Sequence, residues 1–258
     1  MTVVPMAVLL ELAATQSGFD VDQDAPDGWL GFASTQSPLR VWVSAGGDGS
    51  IVAALSMRNV GNALAAEGLG AVVTVPLPTG AVVAHAMGDR PALQRLLRRA
   101  WSLARTLPDE LLHAFQTKTR ALPQSTEVER LVVQRVGQDL FRDGLLDYWE
   151  GRCAVTGLGV CALLRASHIK PWADCATDAE RLDVFNGLLL APHLDAVFDH
   201  GFVTVADDGA VVVSPELGTE ASELLGLTPG LRVTRLEDGH RRYLAWHRAH
   251  VFGRPARG

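Results

Sequence analysis

The stretch R-C-A-V-T-G-L-G-V-C-A-L-L-R-A-S-H-I-K-P-W (residues 152–172), followed after a linker by R-L-D-V-F-N-G-L-L-L-A-P-H-L-D-A-V-F-D-H-G-F-V-T-V-A-D-D-G (residues 181–209), decides how the chain is read. Residues 154–156 and 162–164 are short apolar runs separated by Gly157 and Gly159, the pattern of a hairpin. His168 falls at the end of the second run, and Pro171 stops a ladder from continuing there. Asn186-Gly187 is a turn dipeptide. Pro192 suits the first turn of a helix, which extends from His193 to His200 and stops at Gly201. Two strands, a loop and a helix therefore bring His168, Asn186 and a His/Asp cluster into one neighbourhood.

The order of these residues, with the phrases A-S-H-I-K-P-W and N-G-L-L-L, resembles the His-Asn-His (HNH) endonucleases of ββα-metal fold, in their restriction-associated branch. The resemblance covers the last third to half of the chain. It implies a DNA phosphodiesterase using one divalent cation. His168 is then the general base, because a neutral imidazole takes a proton from water near neutral pH. Asn186 holds either the imidazole or the loop backbone, since an amide both donates and accepts. The third signature position has two readings. His193 is the final His of the family name, or Asp195 takes that place with Asp199 one turn further on, on the same helix face. His193, Asp195 and Asp199 are accordingly the candidate metal ligands, and the oxygen-rich pair favours Mg²⁺ or Mn²⁺ over Zn²⁺ or Ni²⁺. The sequence departs from the family at Ser167, where many members carry a carboxylate or second His. That departure supports a second reading, a DNA-binding module that has lost its metal and does not cut.

Length and composition set outer bounds. With 258 residues, 48% hydrophobic, the chain holds one large or two ordinary domains. No apolar run is long enough to span a bilayer and no signal-peptide pattern opens the chain, so the expected location is the cytoplasm, with no membrane partner. Cys153, Cys161 and Cys175 form no C-x-x-C pair; neither a zinc knuckle nor a disulfide is expected. The net charge of −6 gives no chain-wide attraction to DNA. Charge is unevenly placed, however: residues 1–93 have three arginines against eight carboxylates, whereas residues 231–258 have seven arginines against two. A second basic cluster is Arg95, Arg98, Arg99 and Arg105. Around the site, the resemblance of residues 134–149 to the helix that precedes the hairpin in that family implies phosphate contacts by Arg135 and Arg142, and Arg165, Lys170, Arg241 and Arg242 are further candidates. His240, His247 and His250 are read as surface residues beside the arginines.

The fold expected is α+β in two parts: an N-terminal α+β domain with a mainly antiparallel sheet (residues 1–122), then the nuclease domain (residues 123–258), with its core at 150–210 and a basic C-terminal extension. In the first part, helices are expected at 5–15, 59–67 and 91–106, and strands at 29–33, 39–45, 50–57, 71–75 and 81–87, with Gly46-Gly47-Asp48-Gly49 as a hairpin turn. Residues 109–119 form another helix, residues 122–126 are the boundary, and Thr126 with Glu129 opens a long helix through a capping box. Further on, a hairpin at 202–214, a short helix at 222–227, a strand at 231–236 and a helix at 243–251 complete the chain. Two roles are left open for the first domain, target recognition and homodimerisation. For recognition, Trp29, Phe32 and Trp42 are the candidates for an aromatic cage around a base.

Overall fold

Val41–Ala45 and Ile51–Leu55 are almost continuously buried, and strands with no solvent face need cover on both sides. In the computed structural model, which describes residues 5–46, 49–107, 110–123 and 126–254, they receive it. The chain divides into two compact units between residues 107 and 108. The first contains α1 (Met6–Thr15), β1 (Val21–Gln23), β2 (Leu30–Ala33), β3 (Val41–Ala45), β4 (Ile51–Leu55), α2 (Arg58–Ala66), β5 (Ala71–Val73), β6 (Val83–Met87) and α3 (Arg90–Thr106). Its strands form one antiparallel sheet in the order β1-β2-β3-β4-β6-β5.

Registration separates the two faces of this sheet. Phe32, Val41, Leu55 and Val83 lie opposite one another and face the helices; Gly61 of α2 sits so close that a Cβ there would lie 2.4 Å from Val83. Gly31, Trp42, Ala54, Ala84 and Val73 form the neighbouring row on the other face, where Trp29, Ala25, Val75 and Ala81 cover Trp42. Phe32 and Trp42 therefore point to opposite sides of one strand pair, and both are buried. The expected aromatic cage does not form, because neighbouring strand positions alternate in direction. The second basic cluster is also not a uniform surface face. Arg99 of α3 is buried and makes a forked pair with Glu67, at 2.9 and 2.7 Å.

The second unit contains α4 (Glu110–Thr119), α5 (Glu127–Tyr148), β7 (Arg165–His168), α6 (Asp178–Arg181), β8 (Gly187–Leu190), α7 (Pro192–Asp199), β9 (Val203–Val205), β10 (Val211–Val213), α8 (Thr219–Leu224) and α9 (Asp238–His250). Helix α4, expected to close the first domain, packs instead on α5, where Leu111 fills the space that Gly144 leaves. The unit boundary thus falls at 107/108 rather than 122/123. Thr126 and Glu129 make the reciprocal capping box at the start of α5. Of the expected turn and boundary residues, Gly47, Asp48, Gln124 and Ser125 lie outside the described residues, as do Asp109 at the start of the fourth helix and Arg257 of the basic extension.

Two strand expectations change. Residues 154–156 and 162–164 are turns, and the ladder is β7 against β8 in antiparallel register, Arg165 opposite Leu190 and His168 opposite Gly187. The Cys153 N–H bonds Leu158 O and the Ala154 N–H bonds Leu189 O, so the first run spends its backbone on its own turn and on β8. The expected strand at 231–236 is reduced to one bridge, Ala210 with Arg232. Helix α9 starts earlier than expected, at Asp238. Among the described residues no helix is long and apolar enough to cross a membrane.

Candidate active site

Helix α5 is the wall on which the site is built. Phe141 lies under both strands: an added Cβ on Gly187 would be 2.5 Å from its Cζ, and its ring stacks on His168 with centroids 3.7 Å apart. Trp172 meets the same imidazole edge-on and is seated over Gly137, where a Cβ would be 2.6 Å from the indole. The imidazole is thus held by packing before any hydrogen bond is counted. Its Nε2 lies 2.9 Å from Arg181 O, and because a carbonyl only accepts, Nε2 carries the hydrogen and Nδ1 the lone pair. Burial depresses the His168 pKa to about 4, against a smaller opposing effect of the Arg181 carbonyl. At neutral pH the ring is an uncharged base with a fixed tautomer.

Asn186 acts on the loop rather than on the ring. It is fully buried at the end of a 3-10 turn. Its Oδ1 accepts the Lys170 N–H at 2.8 Å, and its Nδ2 donates to Lys170 O at 3.1 Å and Glu180 O at 3.0 Å. Cys175 Sγ is a further neighbour of Nδ2, at 3.3 Å. Glu180 precedes Arg181, so Asn186 fixes the strand end after His168 and the carbonyl that orients His168. Asp183 supports this arrangement. Its backbone carbonyl accepts the Asn186 N–H, and its carboxylate accepts from Phe185 N–H, Arg242 and the Tyr243 hydroxyl.

On the other side of β7, Ser167 is buried and its hydroxyl donates to Asp199 Oδ1 at 3.2 Å. It also contacts Asp195, one helical turn earlier. Burial raises the Asp195 pKa despite Ser167 and the attraction of Arg165. Burial, and then repulsion from Asp195, pushes Asp199 up to about 6. Two carboxylates that resist ionisation side by side form a seat that a cation would relieve. Among the described residues no three His, Cys, Asp or Glu converge as a closed metal cage. The donor set fits a Mg²⁺-like ion, which takes one or two carboxylates and leaves other positions to water and phosphate, better than a structural zinc. His193 is exposed in the first turn of α7 and does not line the cleft. Of the expected residues, His168 and Asp199 line one cleft, Asp195 adjoins it through Ser167 and Asp199, Asn186 holds the loop behind His168, and His193 does not line the cleft.

A cleft of about 390 Å³ opens here, lined by Ser167, His168 and Asp199 on its polar side and by Pro171, Trp172 and Val251 on its apolar side. His247 also lines it, which the sequence reading missed. His240 and His247 are buried, not on the surface, and only His250 is exposed, stacked on Trp246. The reason is aromatic packing: His240 sits among Tyr148, Trp149 and Phe185, and His247 stacks on Phe198. Helical spacing of His247 with buried Tyr243 and Leu244 was the available signal.

The basic residues divide by what they already bind. Arg142 donates to Leu164 O and Cys161 O, Lys170 pairs with Glu180, Arg241 binds Asp238 and Asp207 O, and Arg242 binds Asp183. Arg135 is 77% exposed with Asp139 at 3.7 Å, and Arg165 is exposed beside Asp195. A phosphate-contact role for Arg165 predicts that Arg165→Ala lowers the salt-dependence slope of DNA binding by about one. Arg142→Ala should leave that slope unchanged and lower the unfolding midpoint instead. Fluorescence anisotropy at graded salt checks both; a slope change for Arg142→Ala would reassign it to phosphate.

Acid should destabilise the second unit. Burial lowers His168 to about 4, His240 to about 3 and His247 to about 4, from an ordinary 6.5. The unfolded chain protonates each near 6.5 and the folded chain does not, so their stabilisation is complete above pH 6.5 and is lost as pH falls through 4. Asp199, raised to about 6, acts in the opposite sense, as does Asp195 with its raised pKa. Each imidazole is shifted at least as far as Asp199, and there are three of them. The metal-free Tm should therefore fall between pH 6.5 and 4 in scanning calorimetry; a rise across that window would contradict the assignment.

Residues 153–206, which contain β7, β8, α7 and β9, match the family model described as HNH endonuclease. No curated protein matches the chain.

Proposed function

We propose that the HNH domain of this protein hydrolyses DNA phosphodiester bonds with the help of one divalent cation, Mg²⁺ or Mn²⁺. The observation that carries the reading is a neutral, tautomer-fixed imidazole and the Asp199 carboxylate lining one cleft, with Asp195 one helical turn behind and repelling Asp199. His168 Nδ1 takes a proton from the attacking water as the new P–O bond forms and the bond to the 3′-oxygen breaks. Arg181 O holds the opposite ring edge and stabilises the imidazolium that results. Asn186 is a positioning residue that keeps this carbonyl in place. Asp195 and Asp199 would hold the cation, with Ser167 orienting Asp199. When bound, the cation would stabilise charge on the phosphate and the leaving oxygen. Trp172 and Pro171 close one side of the cleft against water.

The restriction role rests on the S-H-I-K-P-W and N-G-L-L-L phrases, and target selection or self-association is assigned to the six-stranded unit. Supercoiled plasmid, unmodified or with modified cytosines, should be cut in Mg²⁺ or Mn²⁺ and left intact in EDTA. DNA binding without cleavage on either substrate would favour the metal-less binding module.

Asp199→Asn provides an independent check. It should abolish cleavage at sub-saturating metal and remove metal-induced thermal stabilisation, which follows from binding to the folded state alone. In EDTA at pH 7 to 8 the same variant should melt higher than wild type. There the native Asp199 must ionise against Asp195, and asparagine removes that cost. A lower Tm in EDTA would show that the two carboxylates do not oppose each other.

A further inference from the structure

We infer that helix α9, outside the matched 153–206 segment, belongs to the catalytic apparatus, and that His247 is a positioning residue for the Asp199 carboxylate. This rests on the reading of Asp195 and Asp199 as the cation seat. Asp199 is the last residue of α7, and helix ends have unpaired carbonyls and fray unless something holds them. The carboxylate therefore needs a fixed backbone behind it.

Helix α9 splints the turn that follows Asp199. The His247 ring stacks on Phe198 with centroids 4.1 Å apart and planes 9° from parallel. Its Nε2 lies 3.2 Å from Phe198 O, which can only accept, so Nε2 donates. Its Nδ1 then accepts the Thr204 hydroxyl at 3.0 Å. One neutral ring thus ties the residue before Asp199 to β9, on the far side of the turn. Below it, the Gly253 N–H donates to Gly201 O at 3.0 Å, and Val251 O packs so tightly on Gly201 that a Cβ there would be 2.3 Å away. Gly201 has φ +73, so the close approach and the backbone both require glycine.

The same helix holds the other half of the site. Arg242 and Tyr243 bind the Asp183 carboxylate at 2.6 and 3.0 Å, and Asp183 supports Asn186. Asn186 with Arg181 and His168 lies on one side and Asp199 on the other, and α9 contacts the supports of both. His247 is 1% exposed and cannot be a surface residue that acts on DNA from outside.

The test uses the full chain and Mn²⁺, with binding followed by electron paramagnetic resonance or calorimetry. His247→Phe keeps the stacking and removes both ring hydrogen bonds. It should raise the Mn²⁺ Kd by about tenfold or more, the range seen when the support of a metal ligand is removed. Cleavage at limiting Mn²⁺ should fall with the lost affinity, and added Mn²⁺ should recover part of it. His247→Gln, whose amide can both donate to Phe198 O and accept from Thr204, should recover most of the affinity. If His247→Phe does not fold, Thr204→Val replaces it, and the same direction of change is expected. A folded His247→Phe with wild-type Mn²⁺ affinity, or a His247→Gln as weak as His247→Phe, overturns the proposal. A purely structural role would lower Tm and leave the Kd unmoved. If wild type itself binds no Mn²⁺, the nuclease reading fails and takes this one with it; if wild type binds and His247→Phe binds equally, only the role of His247 fails.

Discussion

His168→Ala should lower the rate of DNA cleavage at saturating metal by about 10²–10⁴-fold, the usual contribution of a positioned general base. Phe141 and Trp172 fix the ring plane, Arg181 O takes the Nε2 hydrogen, and no partner among the described residues occupies Nδ1. A pKa near 4 keeps the ring unprotonated at any pH where DNA cleavage would be assayed. Loss of the stacked ring also leaves space beside Phe141, so a lower Tm alone would not identify a base. His168→Gln separates the two effects. Its amide can still donate to Arg181 O, yet it has no basic lone pair. It should fold better than the alanine variant and cleave no faster. Mn²⁺ binding should persist in both, since Asp195 and Asp199 are intact. Plasmid cleavage by either variant at the wild-type rate would remove His168 from the mechanism.

Asn186→Ala should be the most destabilising substitution in the site. The amide is 0% exposed and bonds Lys170 N–H, Lys170 O and Glu180 O. Truncation leaves these groups without partners in the interior, at about 1–3 kcal/mol for each unsatisfied group, so a total of about 3–5 kcal/mol is reasonable once the losses overlap. Asn186→Asp should not rescue it, because a carboxylate cannot donate to the two carbonyls. Urea unfolding measures the loss, and a value under about 1 kcal/mol would show that the loop is held by something else. Activity should fall in parallel, since Arg181 O moves with Glu180. At temperatures where the variant remains folded, its residual cleavage should be well below wild type, with the Mn²⁺ Kd nearly unchanged. That split distinguishes a residue that positions the base from one that holds the cation.

The helices were legible because their signals are local. The Thr126/Glu129 capping box, Asp89 accepting from Ala92 N–H before Pro91, and Pro192 opening α7 all lie within one turn of the helix they start. Most strands of the first unit were also readable from apolar or β-branched runs between turn residues; β1 was missed because Val21–Gln23 is short, polar and on the sheet edge. The ββ part of the site was misread for a related reason. Residues 154–156 look like a strand, but after Ala154 N–H reaches Leu189 O of β8 the chain turns back on itself, with Gly157 N–H bonded to Cys153 O. The arginines were misassigned because charge is visible in a sequence and its partner is not: Arg142 and Arg242 both look free until the turn carbonyls and Asp183 arrive beside them.

The sequence by itself determined the residue types and their order: an imidazole at His168, an amide at Asn186, two carboxylates four residues apart on one helix, and the S-H-I-K-P-W and N-G-L-L-L phrases that surround them. Those are properties of short segments, where hydrogen bonding and periodicity act over a few residues. Only the tertiary structure decided that Asn186 holds the loop rather than the imidazole and that His193 stays outside the cleft. It also decided that His247, some fifty residues further on, bonds the Phe198 carbonyl just before Asp199. Those outcomes depend on which distant groups share a low-dielectric interior, where every donor must find an acceptor. No local pattern encodes that match.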